Sequence, residues 1–497
     1  MKSKPPNIII MIVDNMPAEA LGCYGNSDAH TPNLDRLAAQ GVRFNNGYCA
    51  NGVCSPSRAS LFTGTIPSQH GIHFALPDKW EWYPENFDAV AGLRTLPQTL
   101  KDNGYKTALI GKFHMGSPYT PQHGFDYWVP DEHGHTVDFW DTHYVENGKT
   151  KHYDGHATDL WTEKAVDFLQ NQTDNEQPFF MYLSYNAPYG DGFSMRGEPK
   201  NPFGKHFEDK AMDSLPREPV SKRNIDFVMQ WSVVNLPGFD FSDNLTAQNN
   251  LPRIRNYFSQ ISYMDAGVGR VMETLQGLGL DEDTIVIFTA DHGISMGRNG
   301  VWGVSPYAFP AVGYRQCFNI PMIVRHTNHI APQQESNLMV MQTDWFRTLL
   351  DYIGLNDIEI DDSPGKSLAP LLIGDPLADK FDAVFYEQEE MRAIRTQRWA
   401  YYKYFPGSDK YKFEDELYDL THDLNEDNNI ASNPDNANVI QDLSERIDAF
   451  FDRYSSPKYN LWNGGMAMAY YYPPVQASIW RDAFGTDWAP EYPKEDY

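Results

Sequence analysis

The chain has 497 residues, 41% of them hydrophobic and 14% aromatic, enough to bury a large core and more than a single small domain needs. Its 40 Lys and Arg stand against 67 Asp and Glu, and the formal charge of -27 excludes nonspecific attachment to nucleic acid or anionic membranes while suiting a saline, marine setting. The four cysteines, Cys23, Cys49, Cys54 and Cys317, have neither C-x-x-C spacing nor the density of a disulfide scaffold.

The N-terminus leads at once into an apolar, mostly β-branched run at 8–13, too short to cross a bilayer and stopped by Asp14-Asn15. This predicts a first strand buried on both faces. Two settings follow: cytoplasmic if the chain is complete as given, periplasmic or secreted if an export signal precedes it. Thr31-Pro32 reads as an N-cap with Pro at the first helical position, Gly41 closes that helix, and 42–45 returns as a strand. Residues 96–103 predict a helix stopped by Gly104, and 106–110 a strand running into Gly111-Lys112-Phe113-His114. A further strand at 179–184 ends before Asn186-Ala187-Pro188-Tyr189. The helical pattern over 254–275 precedes a strand at 284–288 that delivers Ala290-Asp291-His292-Gly293.

Beyond about residue 375 the pattern changes to strand-like pieces at 383–386 and 399–404, then a helix near 439–454. The tail 459–497, rich in Tyr, Trp and Pro, is expected to wrap the surface as packing. The predicted fold class is α/β: a three-layer α/β/α sandwich with a large, mostly parallel sheet in 1–375, plus a smaller C-terminal α+β subdomain with an antiparallel sheet and the aromatic tail in 376–497. Ligands of such a sheet bind outside the carboxyl ends of its strands, and polar groups follow several of the predicted strands.

Cys54 stands at or just before a helix start, with Pro56 near the first turn and Arg58 one turn on. A helix N-terminus and a guanidinium together favour an anion, so a nucleophile there suits an anionic ester. Lys112 and His114 alternate along the chain, and in an extended segment both face one side.

Cys54-Ser55-Pro56-Ser57-Arg58, followed by Thr63-Gly64, resembles the Cys-x-Pro-Ser-Arg signature of the type I, formylglycine-dependent sulfatases of the alkaline-phosphatase superfamily. The likeness continues through Thr31-Pro32-Asn33-Leu34-Asp35, the segment 104–116, the stretch 147–159, Ala187-Pro188, Asp265, Asp291-His292-Gly293 and Glu416-Leu417-Tyr418-Asp419, most of the chain to about residue 430. It implies that a separate formylglycine-generating enzyme matures Cys54 to Cα-formylglycine. One geminal hydroxyl of the aldehyde hydrate then attacks sulfur, and deprotonation of the other releases sulfate. The resemblance also implies that Lys112 contacts sulfate and that His114 is the base. It implies further that Asp14, Asn15, Asp291 and His292, with the matured Cys54, hold Ca²⁺, Mg²⁺ being an alternative.

The chain also departs from the pattern. Tyr189 stands where the family has His after Ala-Pro, Asn15 makes the metal site less negative, and between Gly293 and Pro321 there are Arg298 and Arg315 but no Lys. Tyr189 and Arg315 are therefore candidate substrate-binding groups. His70, His73, His133 and His135 are predicted in loops able to rim the crevice, and of these His70 and His135 are taken as further substrate-binding candidates. The expected reaction is release of sulfate from an anionic sulfated substrate, a carbohydrate or polysaccharide fragment. The alternatives are a small alkyl or aryl sulfate, a phosphate or phosphonate monoester, and, from another class, an inactive sulfoglycan-binding protein. Retention of Cys54 in its whole context argues against the last.

Overall fold

A computed structural model describes residues 5–76, 86–136, 138–172, 177–190, 197, 199–232, 241–360, 362–407, 410–468 and 474–486. Strand β1 (Asn7–Asp14) is buried along its whole length, because it lies at the centre of an eight-stranded sheet and has neighbours on both edges and helices on both faces. The other strands of that sheet are β2 (Val42–Tyr48), β3 (Lys106–Gly111), β4 (Tyr127–Pro130), β7 (Phe179–Pro188), β8 (Thr284–Ala290), β11 (Met322–His326) and β12 (Gln334–Met341). Between β4 and β7 the chain forms a separate hairpin of β5 (Thr142–Glu146) and β6 (Lys149–Tyr153), and after β8 a two-residue ladder of β9 (Ser295–Met296) and β10 (Trp302–Gly303).

The order across the large sheet is β12-β2-β11-β8-β1-β7-β3-β4. Only β11 runs against its neighbours, pairing antiparallel with β2 and β8, so the sheet is mostly parallel as expected. Helices 157–170 and 251–277, with α1 (Pro32–Ala39), pack on one face, and α2 (Cys54–Thr63), with helices 96–102 and 344–352 against it or its sheet edge, forms the other. The four strands expected to carry polar groups, β8, β1, β7 and β3, are consecutive neighbours in the sheet, so their carboxyl ends open into one crevice.

A second sheet, antiparallel in the order β13-β14-β15-β16, is built from β13 (Ala383–Gln388), β14 (Met391–Thr396), β15 (Trp399–Tyr404) and β16 (Glu416–Asp419). Its apolar face belongs to the same buried cluster as the large sheet. Polar ties reinforce that join: Asn51 Nδ2 donates to Glu387 O at 2.8 Å, Ala311 N to Glu390 Oε1 at 2.8 Å and Tyr386 OH to Gly313 O at 2.9 Å. In the described part of the aromatic tail, Ile479 and Trp480 bury against Phe405, Leu461 and Ala467, which is packing of the kind expected; residues 469–473 and 487–497 lie outside the described residues. Among the described residues no helix is long and apolar enough to cross a membrane.

Two local expectations need correction. Thr31 precedes α1 but makes no side-chain cap; its hydroxyl bonds Gly22 N and Asp35 instead, and the free amides of α1 are taken by Asp265 from the helix Leu251–Gly277. Lys112 and His114 do not share a face by strand alternation, because β3 stops at Gly111 and His114 takes a left-handed backbone with φ 55°.

Candidate active site

Cys54 is the first residue of α2, and all ten residues of that helix are buried. Its Sγ lies where two groups of side chains meet. A ring nitrogen of His114, one of His135 and the sulfur all fall within 4.8 Å of one another, as do the sulfur, a carboxylate oxygen of Asp14 and a ring nitrogen of His292. The Cys54 sulfur thus adjoins two imidazoles in one group and a carboxylate with an imidazole in the other, and each set has the donor types that could hold a metal ion.

Arg58, one turn along α2 and fully buried, ties three strand ends together. Nε and Nη2 donate to Asp291 Oδ2 at 3.1 and 2.8 Å, and Nη1 donates to Lys112 O at 3.0 Å and Ser184 Oγ at 2.6 Å. This planar fork is a use of Arg that Lys cannot reproduce. Lys112 Nζ pairs with Asp14 Oδ2 and lies 5.3 Å from the centre of the Tyr189 ring. Burial opposes ionisation of the Cys54 thiol, but the charge of Lys112, together with the neighbouring His114 and His292 rings, outweighs it and holds the thiol well below its ordinary value. The pocket is thus electrostatically prepared for an anion at that position.

His114 is oriented by its Nε2, 2.8 Å from Leu76 O. A carbonyl only accepts, so Nε2 carries the proton of the neutral ring and Nδ1 the lone pair. Leu76 is fixed in turn by donating its N–H to Ser55 Oγ at 3.1 Å. Burial lowers the His114 pKa, with the neighbouring Cys54 partly offsetting it, so the ring is held as a neutral base. Gly134 lies on this ring so closely that a Cβ there would stand 1.9 Å from His114 Cδ2, and the next residue, His135, sets its ring edge-on to His114 at 4.8 Å between centres.

His292 shows the same logic on the metal side. Its Nδ1 is 2.9 Å from Gly293 O, which in the neutral ring places the lone pair on Nε2. That atom lies 3.9 Å from Asp14 Oδ1 and 3.7 Å from Asp291 Oδ1. Asp14 Oδ1 and His292 Nε2 are both buried without a hydrogen bond. Ligands at right angles around an ion with bonds of about 2.1–2.5 Å stand about 3.0–3.5 Å apart, so these atoms fit a divalent cation after small adjustments. Burial and the Asp291 charge raise the Asp14 carboxyl to about 8 against the pull of Lys112 and Arg58, whereas Asp291, opposed by burial, is held low by His292, Arg58 and Lys112. His292, also opposed by burial, is lifted to about 9 chiefly by Asp291 and Cys54. A cation bound among them would replace this internal charge sharing. Asn15 enters with φ 59°, its N–H donating to Asp291 Oδ1 at 3.2 Å and its carbonyl accepting from Tyr257 OH at 2.7 Å.

The remaining candidates separate. Tyr189 is buried with φ 37°, and its ring lies beside the Lys112 ammonium. Arg315 and Arg298 both face Glu19, at 3.7 and 3.1 Å, so the carboxylate of Glu19 absorbs the two cations considered in place of the missing Lys. His70 is no rim residue: it is buried, Nε2 is 3.1 Å from Ser60 Oγ, Ile72 N donates to Nδ1, and burial with His73 nearby holds it well below the usual histidine value. His73 is likewise buried, on Tyr459 O at 2.8 Å, and His133 is exposed beside Glu132. Ser184, Leu76, Gly134 and Gln342 are participants the sequence did not single out. Gln342 brackets Ser57, whose hydroxyl sits between Asp291 O and Gln342 Oε1. Of these only Ser184, at the end of a predicted strand, carried a positional signal.

With this geometry in place, comparison with known proteins is decisive about family. The sulfatase family model matches residues 6–355, and a second model, N-sulphoglucosamine sulphohydrolase C-terminal, matches 311–452. The chain belongs to the sulfatase family. This sulfatase is 28% identical to N-acetylglucosamine-6-O-sulfatase of Bacteroides thetaiotaomicron over 91% of its own length and 87% of that protein, and 27% identical to the ulvan-active sulfatase of Formosa agariphila over 92% and 84%. It also resembles a solved structure bound to its substrate D-glucosamine-2-N,6-O-disulfate, with a TM-score of 0.69, 27% identity and coverage of 91% and 98% of the two chains. A phosphonate monoester hydrolase of Agrobacterium radiobacter, at 20% identity and a TM-score of 0.67 with coverage of 90% and 96%, shares the fold.

Proposed function

We propose that this sulfatase hydrolyses sulfate esters of carbohydrates through a formylglycine at Cys54 and a divalent metal, with sulfated hexosamines as the first substrates to test. The observation that carries the reading is the position of Cys54 Sγ between His114 and His135 on one side and Asp14 and His292 on the other. The relatives act on N-acetylglucosamine-6-O-sulfate, by name, and on ulvan, which supports a sugar rather than a small aryl ester.

The aldehyde, once formed, supplies a hydrate oxygen able to attack sulfur. The ion, Ca²⁺ or Mg²⁺, would be held by Asp14, Asp291 and His292, with Asn15 at its edge, and would neutralise charge on the sulfate oxygens. The chain's own groups do the rest. Arg58 and Lys112 hold the two carboxylates in place and favour their ionised forms, and Lys112 supplies a cation for the sulfate oxygens. His114 takes a proton at Nδ1. His135 donates one to the departing sugar oxygen: it is partly exposed, and a ring nitrogen lies within 4.8 Å of the Cys54 sulfur.

Peptide mass spectrometry after coexpression with a formylglycine-generating enzyme tests the nucleophile, the expected change at Cys54 being a loss of about 18 Da. The matured protein is then assayed for sulfate release from N-acetylglucosamine-6-sulfate and N-acetylgalactosamine-6-sulfate alongside chromogenic sulfate and phosphonate esters. An unconverted cysteine beside a matured control, or equal rates on phosphonate and sulfate esters, overturns the reading.

A further inference from the structure

The β5–β6 hairpin stands apart from the large sheet and carries a cluster the sulfatase reaction does not use. Its turn is Asn147-Gly148, both with positive φ, 54° and 69°, the two-residue arrangement that matches the twist of the flanking strands. Glu146 and Lys149 flank the turn as partners, and hydrogen-bonded and non-hydrogen-bonded pairs alternate outward from them. His143 and His152 are direct partners at a non-hydrogen-bonded position, where opposing side chains approach most closely. Asp141, two residues before His143, projects to the same face. His152 Nε2 is 2.9 Å and His143 Nδ1 4.0 Å from Asp141 Oδ1, and one ligand atom from each residue lies within 4.8 Å of the other two.

We infer that Asp141, His143 and His152 form a binding site for a divalent transition metal of the zinc class, separate from the site at Cys54. Tetrahedral zinc with bonds of about 2.0–2.1 Å separates its ligands by about 3.3 Å, inside the range these atoms already span, and leaves a fourth position for water. Two imidazoles and one carboxylate favour zinc, nickel or copper over calcium or magnesium, which prefer all-oxygen shells. The three side chains are 39%, 51% and 66% exposed for His143, His152 and Asp141, so an ion enters from solvent without opening the fold. On the opposite face of the hairpin Glu146 pairs with Lys151 and Lys164, and Lys164 lies over Tyr144, so those charges are engaged away from the cluster. The ion would also close the base of the loop bearing His135: Asp141 ends that loop, and its start is fastened to β5 by Glu132 N donating to His143 O at 3.0 Å.

The site requires neither maturation of Cys54 nor sulfatase activity, so its test is independent of both. The full chain is titrated with Zn²⁺ by calorimetry at neutral pH in buffer holding excess Ca²⁺, comparing the unsubstituted protein, the His143→Ala/His152→Ala double variant, the single His152→Gln variant and Asp14→Ala. The expected result is one equivalent of Zn²⁺ lost in the double variant, at least tenfold weaker binding in His152→Gln, and that same equivalent retained in Asp14→Ala. Equal Zn²⁺ uptake by the double variant and the unsubstituted protein, or loss of the equivalent only in Asp14→Ala, overturns the assignment.

Discussion

The proposed role of His114 as base requires a lone pair at Nδ1, and a left-handed backbone and one carbonyl, Leu76 O, hold the proton of the neutral ring on Nε2. Burial lowers its pKa, so the neutral ring persists below the ordinary histidine value. The sign for catalysis follows: kcat/KM should stay level as pH falls through the range where an exposed histidine would protonate, and decline only at more acid pH as His114 takes up a proton. His114→Ala should lower kcat by roughly 10²–10⁴-fold and remove that acid limb, which a pH-rate profile reads directly. His135 calls for a different readout. A leaving-group acid matters for a sugar alkoxide and hardly at all for a nitrophenolate, so His135→Ala should cost about 10²-fold or more on a sugar sulfate while leaving nitrophenyl sulfate within a few fold. Equal losses on the two substrates would reduce His135 to a support for the His114 ring.

At the scale of elements, what was legible in the sequence was what depends on local order. The β-branched run of β1, the helix start at Cys54 and the ends of β8 and β3 could be read to within a residue or two because burial on both faces and helix initiation leave marks nearby, whereas β7 runs on to Pro188, past the end expected at 184. What stayed hidden depends on contacts between distant segments. Nothing near Thr31 tells that its capping task passes to Asp265, more than two hundred residues on, nor that Leu76 and Gly134 fix the His114 ring. The Asp265 contact is testable as a stability claim. It accepts Asn33 N at 3.1 Å, Leu34 N at 2.8 Å and Asn33 Nδ2 at 2.9 Å while itself buried. Asp265→Ala leaves the buried Leu34 amide and the part-buried Asn33 amide without their acceptor, at about 1–3 kcal/mol for the buried one and less for the other, so a loss of about 2–4 kcal/mol is expected from urea unfolding. Asp265→Asn, which keeps an acceptor oxygen, should lose less. Comparable losses in the two variants would show that packing around the residue, not the cap, sets its cost.

The molecule as a whole opposes its own substrate. A charge of -27 surrounds a crevice that must admit a sulfate ester, while the interior cations Arg58 and Lys112 are already paired with Asp291 and Asp14. Attraction therefore acts only at short range, and the long-range field is repulsive. Composition made that conflict visible at once, but not its local resolution, because pairing of buried charges is a property of the fold. The conflict has a measurable sign. Raising ionic strength from about 0.01 to 0.15 M shortens the screening length from about 30 to 8 Å, which removes far more of the surface field than of contacts inside the pocket. With Ca²⁺ held constant, kcat/KM for a monosulfated sugar should rise a few fold over that range, and more steeply for a disulfated one, since the repulsion scales with substrate charge. A fall with added salt would mean that cations at the crevice mouth form a local funnel strong enough to reverse the field of the whole surface.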